Sequence, residues 1–351
     1  MNNVQIHTTS VIAASSATTV VDKNLRKFAA VVLARHPELF TFVLIVAVAA
    51  TVGVINPSFF QIGTLFDTLR SASVVGIFAL GVLVVLAAGG IDVSFTAIAA
   101  LTMYGITKAV LLLWPAAPVA FILLSGALGG ALLGGVNGYL VDRLKAPSLI
   151  VTIGTQYLFR GFLLTFVGTT FFMEIPSAMD AFGRSALVRH TTAQGSLAIL
   201  PTSVLVFVVA IAATWFILNR TLMGRAVYAI GGSVAIAERL GYNLRVVHVF
   251  AFGYAGFLAG IAGVVHVSSS RLANPFDLVG TELDVIAAVI LGGARITGGT
   301  GTVAGTVLGV ILVTLINNVL ILAGVPSTWQ KLIVGGFIVL AGALFASRKS
   351  T

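Results

Sequence analysis

Ala72 to Ala88 reads ASVVGIFALGVLVVLAA, and the run stops on Gly89-Gly90-Ile91-Asp92-Val93-Ser94. The run is apolar throughout, with no alternation of apolar and polar positions. About 20 such residues carry a helix across a hydrocarbon core about 30 Å thick, whereas a transmembrane strand would alternate. Comparable stretches recur at Leu39–Ile55, Val93–Leu113, Val119–Val141, Ser148–Val167, Ala198–Leu218, Val249–Val267, Leu283–Leu291, Val303–Ala323 and Trp329–Phe345. Leu283–Leu291 is short and runs towards the glycine-rich stretch that follows it. The expected fold is therefore all-α: a polytopic membrane protein with about ten transmembrane helices, residues 39–345 forming the membrane domain.

Composition agrees. The chain is 58% hydrophobic with a mean hydropathy of +1.08, and only 9% charged, against about 25% in soluble domains. The net charge of +9 does not point to nucleic acid, because no basic run is interleaved with aromatic residues. There is no cysteine, and His7, His36, His190, His248 and His266 are too scattered to form a metal site.

Residues 1–38 are polar and lack the apolar core of a cleavable signal. Leu25, Phe28, Ala29, Val32 and Leu33 would share one helical face, so this tail reads either as an amphipathic membrane-surface segment or as a basic anchor without structure. Residues 346–351 form a short second tail. Ten spans put both termini on one side, and with that side cytoplasmic, thirteen of the 20 basic residues fall inside. The largest loop left outside is Gly168 to Ser196, opening with Phe171-Phe172-Met173-Glu174, which reads as a docking surface for an external partner or as a plain connection.

Inside lies the longest polar interruption, residues 219–248. Ser233 is a helix N-cap, Val234 to Leu240 supply about two helical turns, and Gly241 supplies a left-handed stop. With Arg220, Arg225, Arg239 and Arg245 nearby, this short helix suits docking of a cytoplasmic partner; the alternative is a solvated connection whose arginines fix topology.

Two glycine-rich breaks interrupt the hydrophobic pattern, at Gly89 to Ser94 and at Gly292 to Gly301. Paired on their Gly-Gly dipeptides, both follow an apolar run and precede a helix rich in small residues. Such matched breaks mark the binding region of many transporters; two tight interfacial turns are the alternative. No glycine-rich loop is followed by Lys and then Ser or Thr, so no nucleotide-binding loop of that type is present. Asp92 and Arg160 are the charges most embedded among apolar residues, and each either borders a path or reaches to an interface.

These segments resemble the membrane permease of bacterial ATP-binding-cassette importers for monosaccharides of the ribose, xylose and galactose type. The resemblance rests on Gly89 to Ser94, on Gly134-Gly135-Val136-Asn137-Gly138 running on to Ala146 through Thr155, and on Arg160-Gly161. It extends through Gly224 to Gly232 with Ala237 and Gly241, through Leu291-Gly292-Gly293 to Gly305, and through Asn317-Asn318 and Trp329-Gln330. It covers about residues 39 to 345, and it departs from the family's pattern at Phe95-Thr96-Ala97, where bulk would narrow a nearby cavity.

The resemblance implies a multi-pass protein of the bacterial inner membrane that works as a dimer in contact with lipid, with a cytoplasmic ATPase and a periplasmic or extracellular sugar-binding protein as partners. ATP would be used by the partner subunit and no cofactor bound by this chain, which would not itself be an enzyme. Asp92, Ser94, Asn137, Thr152, Arg160, Asn317 and Asn318 become candidates for the substrate path, and Arg225, Ser233, Ala237, Glu238, Arg239 and Gly241 for ATPase coupling. A branched-chain amino acid permease shares the plan. An ion-coupled transporter would want carboxylates inside the bundle, whereas only Asp92, Glu282 and Asp284 lie near breaks or span ends and none is clearly within a helix. A membrane enzyme would need a paired acid and base or ligand spacing, and neither is found.

Overall fold

A computed structural model describes residues 37–191, 195, 197–322, 326, 329, 332, 335 and 336. The helices are α1 (Pro37–Ile55), α2 (Ile62–Ala87), α3 (Phe95–Leu113), α4 (Val119–Leu144) and α5 (Ser148–Phe162), the last continuing as a π-turn over Leu163–Val167. They continue with α6 (Ser177–Arg184), α7 (Ser203–Arg220), α8 (Leu222–Gly232), α9 (Val234–Arg239), α10 (Leu244–Ser270), α11 (Glu282–Leu291) and α12 (Val303–Leu322).

Seven helices among the described residues are long and apolar enough to cross a membrane: α2, α3, α4, α5 with its π-turn, α7, α10 and α12. Two more of the ten expected spans are present but short. The apolar part of α1 is Glu38–Val54, and α11 has 10 residues. The tenth, Trp329–Phe345, lies almost wholly outside the described residues, as do the tails at 1–36 and 346–351. Two features were not expected. The loop after α5 carries an antiparallel hairpin, β1 (Ala186–Thr191) with β2 (Leu197–Pro201), so the fold is helical with one small sheet. Residues 222–232, read as a connection, form the helix α8.

The core follows from which residues can afford to be apolar all round. Helix α2 is buried almost without interruption from Gly76 to Ala87 and sits at the centre, against α7, α10, α11 and α12. By contrast α4 buries only one stripe, Gly126, Gly130, Gly134 and Gly138, each one turn beyond the last, and exposes Phe121, Leu124, Leu128 and Leu132 on its other side. In lipid an apolar side chain gains little by facing another helix, so interfaces are built by small residues that let backbones close in. The stripe meets α10 in this way. A Cβ on Gly130 would lie 2.0 Å from the carbonyl oxygen of Gly256, and one on Gly134 would lie 2.2 Å from that of Phe252.

The two glycine breaks are built alike. Helix α2 ends with Gly89 at φ +83°, its N–H donating to Leu86 O (2.8 Å) and that of Gly90 to Val85 O (3.0 Å). Helix α11 ends with Gly293 at φ +97°, its N–H donating to Ile290 O (2.9 Å) and that of Ala294 to Val289 O (3.2 Å). Both are Schellman endings, in which a left-handed residue that favours glycine lets two amides turn back onto orphan carbonyls. Gly89 therefore corresponds to Gly293, one residue off the pairing of the Gly-Gly dipeptides. The second break is longer, running from Gly292 to Thr302 against Ala88 to Ser94.

Candidate functional site

The sequence candidates near the first break come together. From Gly90 to Ser94 the chain passes α4 and α5 outside any helix or strand, and the amides of Ile91, Val93 and Ser94 are met by side chains. Ile91 N–H donates to Ser148 Oγ (2.8 Å) and Val93 N–H to Thr152 Oγ1 (3.4 Å), while Thr152 Oγ1 donates to Ile91 O (3.2 Å). Asn137 Nδ2 donates to Ser94 Oγ (2.6 Å), which donates to Asp92 Oδ1 (2.6 Å); the Ser94 N–H donates to the same oxygen (2.8 Å). Asp92, Ser94, Asn137 and Thr152 are all at most 1% exposed. They pin the break to α4 and α5, which explains why these residue types sit in an apolar setting.

Arg160, Asn317 and Asn318 do not join this network. Arg160 is half-buried on α5 and lines a second cleft with Thr96, Ala97, Ala100, Gln156, Pro275, Asp277 and Val279. Asn318 lies towards the far end of α12, its Nδ2 donating to Thr68 Oγ1 near the start of α2 (3.3 Å). Asn317 is half-buried beside it.

Beside that cleft stands a carboxylate the sequence reading did not select. Glu282 is 8% exposed, and its Oε1 accepts from Thr96 Oγ1 (2.6 Å) and from Gln156 Nε2 (2.9 Å), tying α11 to α3 and α5. Ten helical residues rise only about 15 Å, half of a bilayer core. An α11 that ends at the glycine break therefore begins midway along the bundle, and its first residue is Glu282. The shortness of the apolar run 283–291 was the available signal. Asp277, on the loop leading into α11, accepts from Asn274 Nδ2 (2.8 Å) and lies 3.1 Å from His266 Nε2.

The coupling candidates lie at the corner between α8 and α9. Thr221 caps α8 through its Oγ1 and the Gly224 N–H (3.1 Å), and Ser233 caps α9 through its Oγ and the Ile236 N–H (3.4 Å). Gly241, at φ +83°, ends α9 in a third Schellman turn, with Gly241 N–H on Glu238 O (2.9 Å) and Tyr242 N–H on Ala237 O (3.1 Å). The sequence reading of this helix thus matches its geometry to within a residue. Ala237 is buried, whereas Arg225, Glu238 and Arg239 are exposed. Val234, Ile236 and Leu240 are also exposed, at 47%, 58% and 69%; of these Ile236 and Leu240, four residues apart, fall on one side.

The corner touches both breaks directly. A Cβ on Gly231 would lie 1.9 Å from Ala87 O and 2.5 Å from Gly299 N, and one on Gly298 would lie 2.6 Å from the Cα of Gly89. The Gly299 N–H donates to Ala87 O (3.0 Å), and Tyr228 Oη donates to Gly301 O (2.7 Å). Three backbone segments therefore cross in contact. Beside them a cavity of about 460 Å³ is lined in part by Gly89, Asp142, Lys145, Gly232 and His248. Among the described residues no group of three or more His, Cys, Asp or Glu is placed to hold a metal.

The family described as the branched-chain amino acid transport system / permease component matches residues 64–342. The ribose import permease protein RbsC of Haemophilus influenzae is 32% identical over 307 residues, 88% of this chain and 92% of the relative. RbsC of Escherichia coli strain K12 is 31% identical over 333 residues, 95% of this chain and 99% of the relative. The autoinducer 2 import system permease protein LsrC of Klebsiella pneumoniae is 32% identical over 316 residues, 89% of this chain and 88% of the relative. No solved structure matches. With the family matched over residues 64–342 and relatives at 31–32% identity over most of the chain, the chain belongs to the branched-chain amino acid transport system / permease component family.

Proposed function

We propose that this chain is the membrane-spanning permease subunit of an ATP-binding-cassette importer that carries a monosaccharide across the bacterial inner membrane. The observation that carries this reading is the near full-length similarity to ribose import permeases, which covers 95% of this chain and 99% of the Escherichia coli protein. The family description mentions branched-chain amino acids, but the curated relatives compared above are import permeases for ribose and for autoinducer 2, and this favours a sugar such as ribose, xylose or galactose. Ten helices with both termini cytoplasmic remain the topology proposed, which puts the α8–α9 corner inside and the α6–hairpin end outside.

In this reading ATP is bound and hydrolysed by a separate cytoplasmic ATPase, which seats against α9; the chain itself binds no cofactor. An external sugar-binding protein delivers the passenger at the α6–hairpin end, and a second permease copy completes the assembly within the lipid. The crossing of Gly231, Ala87 and Gly299 supports a mechanical account. A push on α9 reaches both breaks through backbone contacts that have no flexible side chain to absorb it. The exposed Ile236 and Leu240, four residues apart on one side, suit burial in a partner's groove, since exposed apolar surface gains about 25 cal/mol per Å² on burial.

Two outcomes are expected. Reconstituted alone in liposomes, the chain takes up no sugar; with its ATPase and binding protein it takes up sugar only when ATP is supplied. Uptake by the chain alone, driven by an ion gradient, would overturn the proposal. Replacing Gly241 with valine forces a β-branched residue into the left-handed region, a strain of about 1 kcal/mol or more. Open space surrounds that position, so the bundle is untouched and only the end of α9 tilts. Membrane levels should stay at wild type while coupled ATP hydrolysis falls, as measured on the co-purified complex. Undiminished coupled hydrolysis would show α9 to be a mere connection.

A further inference from the structure

We infer that Glu282 is the group that receives the passenger midway through the bundle, exchanging its hydrogen bonds to Thr96 and Gln156 for bonds to the vicinal hydroxyls of a neutral polyol. The inference rests on the importer reading above and adds to it a place and a chemistry of recognition. Four observations carry it.

Glu282 ties the start of α11 to both α3 and α5, through one oxygen with two neutral donors, at 2.6 Å and 2.9 Å. A carboxylate oxygen accepts from any donor of suitable reach. A sugar hydroxyl can therefore replace the Thr96 hydroxyl or the Gln156 amide one for one, and no charge moves while the exchange takes place in a low-dielectric interior.

The adjoining cleft encloses only about 10 Å³, room for roughly one water, so α3, α5 and the loop before α11 are drawn together here. The tie closes the path at the depth where the polar side chains converge. Releasing it is what opening at this level requires, and a ligand that offers two hydroxyls compensates the carboxylate for both lost donors.

Arg160 lies one helical turn beyond Gln156 on α5 and faces the same cleft, and its guanidinium forms no ion pair or hydrogen bond among the described residues. Its guanidinium offers five N–H donors at half-buried depth. A carboxylate that accepts, bonded to Gln156, and a guanidinium that donates one turn further along the helix carrying Gln156 match the mixed donor–acceptor surface of a sugar ring.

The remaining wall is made of small groups, Ala97, Ala100, Pro275 and Val279, with Asp277 beside them. The polar groups facing the cleft are therefore gathered at Thr96, Gln156, Arg160 and Asp277.

The test uses the complex of this chain with its ATPase and binding protein in liposomes. Radiolabelled D-ribose, D-xylose, D-galactose and L-leucine serve as separate probes, and sugar uptake and ATP hydrolysis are measured on the same vesicles. In Glu282→Gln, which keeps the size and loses the charge, the sugar moved per ATP hydrolysed should fall about tenfold to a hundredfold, as expected for one lost charge-assisted hydrogen bond. Thr96→Ser, which keeps the hydroxyl, should retain the wild-type ratio, and Thr96→Val should widen the range of sugars carried. A wild-type ratio in Glu282→Gln overturns the inference. So does a parallel fall of uptake, hydrolysis and thermal midpoint, because a purely structural tie would leave the ratio unchanged. If the wild-type complex moves leucine and none of the sugars, the sugar reading of the whole chain fails with it; if it moves a sugar and Glu282→Gln does so equally well, only the present inference fails.

Discussion

Replacing Gly231 with valine is expected to abolish ATP-driven uptake while leaving the protein in the membrane. The position offers no room. A Cβ would lie 1.9 Å from Ala87 O and 2.5 Å from Gly299 N, within the 3.0 Å hydrogen bond that joins the first break to the second. Valine must displace one partner, and a buried donor or acceptor left unmet costs about 1–3 kcal/mol. Overpacking at backbone contact adds about 1–3 kcal/mol more. Either cost exceeds or approaches the 1.4 kcal/mol that corresponds to a tenfold change, so coupled uptake should fall by more than about tenfold. Insertion is governed by the apolar spans and should not change. The neighbouring Gly232 meets nothing within 4 Å, and Gly232→Ala should transport as wild type. Uptake, ATPase stimulation and membrane level measured on both variants decide the matter: a Gly231→Val protein that still couples would remove the glycine crossing from the path of force.

The contrast between those adjacent glycines also shows what a sequence can and cannot disclose here. The spans were legible because hydrophobicity alone sets them, and α9 was legible because Ser233 and Gly241 carry local capping chemistry. Asp92 was legible as a charge in apolar surroundings and Ser94, Asn137 and Thr152 entered only through the family resemblance; that the four cluster follows from a break whose amides need partners. What could not be read was any feature set by long-range approach. Gly231 and Gly232 look alike in the chain, and only the arrival of Ala87 and Gly299 separates them. Glu282 looked like a residue near the end of a span, whereas its place beside Thr96 and Gln156 follows from α11 stopping at the glycine break after only 10 residues. Asn317 and Asn318 entered as path candidates alongside Asn137 and Thr152, and only the fold shows that Asn318 bonds to Thr68, at the opposite end of the bundle from the breaks. The helix α8 escaped notice because Gly224, Gly231 and Gly232 lower its propensity, while tertiary packing of its buried face, Ala226, Val227 and Ile230, restores it.

The largest effect on the fold itself is expected from Gly130→Val. Membrane helices cannot rely on expulsion of water to bring them together, so the α4–α10 pair depends on how closely its backbones approach. Gly126, Gly130, Gly134 and Gly138 present a side-chain-free stripe, and Gly256 and Gly260 answer it, with would-be Cβ atoms 2.1 Å and 1.9 Å from the carbonyls of Gly130 and Gly126. A valine at 130 meets backbone on the facing helix, which no rotamer change can relieve, and the axes must separate along the whole contact. The cost should reach or pass the upper end of the overpacking range, about 3 kcal/mol, because dispersion contacts are lost at the neighbouring glycines as well. Gly135, one position off the stripe, meets its nearest atom only at 4.0 Å, so Gly135→Ala should be close to neutral. Thermal midpoints in detergent should drop sharply for Gly130→Val and stay near wild type for Gly135→Ala. Loss of α4–α10 contact would also free Asn137, which sits on α4 between Gly134 and Gly138, from its bond to Ser94 (2.6 Å). The bundle interface and the pinned break are therefore parts of one structure, and a Gly130→Val protein with wild-type stability would mean that the two helices are held by something other than backbone proximity.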